Sequence, residues 1–132
     1  MSVELTQPQE MLHQMVTDFA DNEIKPANKH IDQKSEVPKD LWQKIIDTGF
    51  LGLILSEKYG GAGFNAIAEA QTIYDVASRN ASVAFTLEGH YKTVDQVMKY
   101  ATESLKDKYL PQANHRIFAF SSTEHQGGSN VM

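Results

Sequence analysis

Between Thr6 and Leu110 the apolar residues recur three and four positions apart, in stretches separated by proline, glycine and asparagine. That spacing lines them along one side of an α-helix, where a strand would need alternation. A chain written this way is confined to packing helices on one another. The spacing predicts an all-α domain, an orthogonal or up-down bundle of about five to six helices.

The punctuation sets the expected ends. Thr6-Gln7-Pro8-Gln9 fits a capping box, with proline in the first turn where its missing N–H costs little. Behind it Leu12, Met15, Val16, Phe19 and Ile24 share one face. Pro26 should end or kink this helix near Lys25, with Ala27 and Ile31 allowing a bent continuation. Pro38 opens a second helix burying Leu41, Trp42, Ile45, Ile46 and Gly49, the last a C-cap. The run Phe50 to Leu55 (FLGLIL) is too short and too apolar for a surface helix, and reads as an extended crossing under the bundle.

The loop Ser56 to Asn65 (SEKYGGAGFN) is the clearest break. Asn65 caps a third helix with Ile67, Ala70, Tyr74 and Ala77 on its inner face. Asn80 starts a longer fourth helix striped by Val83, Ala84, Leu87, Tyr91, Val94, Met98 and Ala101. Gly89 lies inside it at a cost of about 1 kcal/mol relative to alanine, so close approach by a neighbour or a ligand is expected there. Thr102 caps a short fifth helix with Leu105 and Tyr109 inward, stopped by Pro111. The end, IFAFSSTEHQGGSNVM from Ile117 to Met132, reads as a strand entering a glycine loop, the first strand of a missing β-domain.

Composition excludes several classes. The 132 residues are 41% hydrophobic, enough for the core of one domain. Net charge is −5 with 12 scattered basic residues, which argues against nucleic acid and anionic membranes as partners. Cysteine is absent, removing disulfides and thiol chemistry. No basic and apolar leader opens the chain, and no apolar run approaches the roughly 20 residues of a membrane span. A cytoplasmic protein without membrane insertion is the expectation.

Gly61-Ala62-Gly63-Phe64-Asn65-Ala66 matches a dinucleotide-binding G-x-G-x-x-A, and Glu88 follows at the distance of a ribose carboxylate. That carboxylate should end a second parallel strand, yet it stands in a strongly helical stretch, so the motif is set aside. His13, His30, His90, His115 and His125 show no metal-ligand spacing. His90 alone keeps interest, beside Glu88 and Gly89.

The two glycine loops, taken with the helices, resemble the N-terminal domain of the acyl-CoA dehydrogenase family across essentially the whole chain. Glu23-Ile24-Lys25-Pro26 looks like the family's E-I-x-P, and Ser56-Glu57-Lys58-Tyr59-Gly60-Gly61-Ala62-Gly63 its P-E-K-Y-G-G-A-G with serine for proline. Asn80-Ala81-Ser82-Val83-Ala84 resembles D-A-S-V-A, and Lys108-Tyr109-Leu110-Pro111 the K-Y-L-P before the flavin segment. Thr123-Glu124-His125-Gln126-Gly127-Gly128-Ser129-Asn130 stands where the family has T-E-P-x-A-G-S-D. His125, Gly127 and Asn130 depart from it, loosening the loop and removing one negative charge.

The resemblance implies a helical domain over residues 1–116 and the start of a middle β-domain over 117–132. It implies an FAD enzyme oxidising an acyl-CoA thioester to the 2,3-enoyl-CoA, as a homo-oligomer passing electrons to an electron-transfer flavoprotein or similar acceptor. Phe120, Ser122 and Thr123 would lie along the flavin and Ser129 near CoA. The fourth helix, around Phe85, Thr86, Glu88, Gly89 and His90, would border the acyl end. The family's catalytic base lies beyond Met132, so no catalytic residue is expected within this chain, which alone should be inactive. Apolar surface at Phe85, Tyr91 and Phe118 to Phe120 should promote self-association. Other readings are a non-catalytic helical interaction module, or the same domain of a flavin monooxygenase or nitroalkane oxidase.

Overall fold

The computed structural model of the chain describes residues 4–121. The N-terminal helix forms as its capping residues direct: the Thr6 amide donates to Gln9 Oε1 at 2.9 Å, and α1 runs over Gln7–Phe19. At Pro26 the helix bends rather than breaks. A wide turn over Ala20–Ile24, in which the Lys25 amide donates to the Ala20 carbonyl five residues back, leads directly into α2 (Lys25–Lys34). An ordinary turn would drive the proline ring against a preceding carbonyl, and the extra residue relieves that clash. Leu12, Val16, Ala20, Ile24 and Ile31 stay buried through the bend, while Met15 is half exposed, contrary to the expected face. Ser35 ends α2 with φ of 51°, a left-handed cap usually left to glycine or asparagine.

Helix α3 (Lys39–Asp47) buries Leu41 and Ile45 and turns out of its last residues at Gly49, where φ is +80°. The next run is buried as expected but is not extended. Phe50–Gly52 forms a 3₁₀ turn, bends follow, and every residue from Phe50 to Leu55 is buried. An isolated extended segment would leave its buried amides and carbonyls unpaired. Here the glycine loop folds back over it: the amides of Ala62, Phe64 and Gly63 donate to the carbonyls of Gly52, Leu53 and Leu55, all at 2.9 Å. Gly61 is required by this closure, because a Cβ there would collide with the Leu55 carbonyl.

Asn65 Oδ1 accepts from the Ile67 and Ala68 amides at 3.2 Å and starts α4 (Ala66–Ala77). The face of this helix is the reverse of the expected one. Ala68, Thr72, Asp75 and Val76 point inward, while Ile67, Ala70, Tyr74 and Ala77 are exposed. Polar partners on α1 decide it. His13 Nδ1 lies 2.6 Å from Asp75 Oδ2 and Gln9 donates to Asn65 Oδ1 at 3.0 Å, while Gln71 of α4 itself donates to Asp75 Oδ1 at 3.0 Å. A buried carboxylate with two partners is tolerated where a bare one is not.

Helix α5 (Ala81–Tyr100), capped by Asn80 at the Val83 amide, buries Val83, Ala84, Leu87, Tyr91 and Val94, with Met98 and Ala101 half buried. Tyr91 is enclosed and offers no apolar surface for self-association. In α6 (Glu103–Tyr109) Leu105 and Tyr109 point outward, against expectation; the anchor is Leu110, in a 3₁₀ turn through Gln112 that accommodates Pro111. Among the described residues there is no strand, and the expected one from Ile117 has no neighbouring ladder to pair with. Helix α4 packs between α1 and α5. Arg79 braces the assembly with two hydrogen bonds to Asp21, at 2.8 and 3.0 Å, and Asn28 joins the Arg79 carbonyl to Asn80.

Candidate functional site

Phe85, Glu88, Gly89 and Lys92 fall at i, i+3, i+4 and i+7 on α5 and so share its outer face. Residues 117–120 run past that face, and between the two lies a cavity of about 280 Å³, lined also by Thr86. Its lining is mainly apolar, with Phe85 77% exposed at the mouth and Phe118 and Phe120 on the opposite wall. Lys92 Nζ stands 4.1 Å from the centre of the Phe120 ring, a cation–π contact that holds this wall to the helix. Glu88 contributes the cavity's carboxylate.

Gly89 explains the opening. An added Cβ would meet nothing within 4 Å, so among the described residues no neighbour packs against it. The glycine faces the cavity instead. Thr93 Oγ1 donates to the Gly89 carbonyl at 2.8 Å, and Thr86 Oγ1 to the Ser82 carbonyl at 3.0 Å, both one turn back.

One residue further round, His90 points the other way. It is fully buried, with Nε2 3.0 Å from the Leu51 carbonyl and Nδ1 accepting from the Phe118 amide at 2.9 Å. Burial pushes its pKa below the ordinary 6.5, opposed by the Leu51 carbonyl, so the neutral ring carries its proton on Nε2. His90 therefore stands behind the cavity and not in it.

The structure thus brings Phe85, Glu88, Gly89 and Phe120 to one cavity and turns His90 away. Ser122, Thr123 and Ser129 lie outside the described residues. Thr86 lines it as well, and so do Lys92, Ile117 and Ala119, which the sequence does not single out for the acyl end; Lys92, seven residues from Phe85, is open to detection by helical spacing.

Two other features are inert. The Gly60–Phe64 loop makes no anion cradle, since each of its five amides donates to a backbone carbonyl. Among the described residues no three His, Asp or Glu side chains are grouped to hold a metal, and no helix is long and apolar enough to cross a membrane.

Residues 6–115 match the family model described as acyl-CoA dehydrogenase, N-terminal domain. The chain belongs to this family. An acyl-CoA dehydrogenase of Bacillus subtilis is 32% identical, the match covering 96% of this chain and 34% of the relative. The short-chain-specific acyl-CoA dehydrogenase of Clostridium acetobutylicum is 31% identical over 98% of this chain and 35% of its own length. Among solved structures, butyryl-CoA dehydrogenase from Megasphaera elsdenii superposes with a TM-score of 0.84 at 26% identity, covering 95% of this chain and 34% of that one. The chain therefore spans about a third of the length of the acyl-CoA dehydrogenases it matches. Its all-helical fold is that of the family's N-terminal domain.

Proposed function

We propose that the chain supplies the acyl-pocket wall and part of the flavin site of an FAD-dependent acyl-CoA dehydrogenase. The observation carrying this is the open face of Gly89. A helix-interior glycine that no neighbour needs, at an apolar cavity, leaves room for a slender ligand. In this reading Phe85, Glu88 and Gly89 border the acyl end, with Phe85 and Phe118 shielding it from water. Dryness matters, because hydrogen bonds that polarise a thioester carbonyl strengthen where water is excluded.

The described residues fit one side of a flavin and no more. Phe118 and Phe120 give a flat apolar wall beside Gly89, whereas the hydrogen-bonding edge falls to Ser122 and Thr123, and CoA to Ser129. When bound, FAD supplies the acceptor for the hydride leaving the β-carbon, as a carboxylate outside this chain takes the α-proton. Residues 1–116 form the helical domain and 117–132 begin the next. The assembled enzyme is a homo-oligomer that passes electrons to an electron-transfer flavoprotein or similar acceptor.

Grafting tests this reading. Replacing the corresponding third of the Clostridium acetobutylicum enzyme with this chain should give a yellow protein whose flavin absorbance bleaches with a short-chain acyl-CoA. A folded graft that holds FAD but is bleached by no acyl-CoA overturns the substrate class. A folded graft without flavin favours a non-catalytic helical module.

A further inference from the structure

We propose that His90 is the positioning residue of the cavity, its ring pinning residues 117–120 against α5 by joining the Leu51 carbonyl to the Phe118 amide. The geometry carries this. The imidazole spans two segments 67 residues apart in the chain (118 − 51), with polar contacts at 3.0 and 2.9 Å. Its ring also meets Phe118 edge to face, centroids 5.8 Å apart at 78°. Ile117, Phe118, Ala119 and Phe120 form the cavity wall opposite α5, so the Phe118 amide is where that wall is tied. The tie is independent of which molecule fills the cavity.

Only the neutral ring with its proton on Nε2 makes both bonds. Protonation puts a second N–H on Nδ1, facing the Phe118 N–H donor, and the tie must open. Few charges bear on this. Phe50 to Leu55 and residues 117–121 carry no ionisable side chain. Glu88 and Lys92 on α5 line the cavity on its far side, Glu69 of α4 lies in the next hollow beside Glu88, and the Tyr91 hydroxyl is committed to the Phe50 carbonyl. The influences on His90 are burial and then the Leu51 carbonyl, with no charged side chain among them. Burial lowers the folded pKa, so the tie is whole above the unfolded value of 6.5 and is lost as pH falls through the folded one.

NMR on the ¹⁵N-labelled 132-residue chain tests this. A scalar coupling across the hydrogen bond between Phe118 N and His90 Nδ1 is expected at neutral pH, with ring shifts of the Nε2–H tautomer. His90→Gln keeps a donor for Leu51 and drops the Nδ1 acceptor; Phe118 amide protection should fall about tenfold, the scale of one lost hydrogen bond. His90→Asn presents an acceptor at the Nδ1 position that does not titrate, and should keep Phe118 protected down to about pH 5. Over that range the wild type should lose Phe118 protection ahead of the Leu87 and Val94 amides. A purely structural histidine would loosen all three together. Absence of the coupling in the wild type, which needs no variant to fold, overturns the proposal. So does Phe118 protection that follows only the core amides.

Discussion

Tyr91 is fully buried, and its hydroxyl donates to the Phe50 carbonyl at 2.7 Å, a second donor to an oxygen that also accepts from the Leu53 amide at 3.2 Å. Burial raises the phenol's pKa, so it stays protonated and donating throughout the working range. Tyr91→Phe should cost roughly 0.5–1.5 kcal/mol, the net worth of one hydrogen bond, since the Phe50 carbonyl keeps the Leu53 amide as donor. Urea unfolding should show a lower midpoint at unchanged slope. Glu69 is shifted in the same direction. Burial raises its pKa above 4.5, with Asp95 and Glu88 adding repulsion. A carboxyl whose folded pKa is raised stabilises below the unfolded value, and that contribution is lost as pH rises through the folded one. Glu69→Gln should therefore raise stability at pH 7 by about 0.5 kcal/mol, the scale of one partly exposed charge. The gain should vanish near pH 4 in paired thermal melts; an equal gain at both pH values would refute the assignment.

The elements show where sequence reasoning holds and where packing overrides it. Caps are legible, because the bonds that form them at Thr6, Asn65, Asn80 and Thr102 join residues no more than three apart. The long stripe of α5 is legible because one apolar face dominates twenty residues. Helix α4 is not. It is apolar on two sides, and the choice is made by His13 and Gln9 on a distant helix, which no local spacing records. The cavity is half legible: Gly89 marks it, but the turn of His90 away from it depends on Leu51 and Phe118. Two glycines differ in what their surroundings allow. At Gly89 a Cβ meets only open space, so Gly89→Ala should stabilise the chain by about 1 kcal/mol through helix propensity. In the grafted enzyme the same methyl should reduce turnover by narrowing the cavity. Gly61→Ala should instead destabilise by about 1–3 kcal/mol, as backbone must yield to admit it. Chemical denaturation of both variants checks the opposite signs; a destabilised Gly89→Ala would mean that α5 needs its glycine for folding.

For the whole molecule, the question is how much of a cofactor site one helical domain can hold. The cavity of about 280 Å³ is at the small end of ligand pockets, which run to roughly 300–1,000 Å³ and enclose most of what they bind. FAD is larger than such a cavity can enclose, and the wall offered here is one apolar side formed by α5 and residues 117–120. Micromolar binding needs about 8 kcal/mol of net free energy after translational and rotational freedom has been lost. One apolar face, even with the edge contacts proposed for Ser122 and Thr123, meets only part of FAD and falls short of that. Titrating FAD with the 132-residue chain should therefore leave flavin fluorescence nearly unchanged at micromolar protein, while the graft retains flavin through desalting. Strong quenching by the chain alone would show that its residues complete a flavin site without the rest of the enzyme, and the division of labour between domains would have to be redrawn.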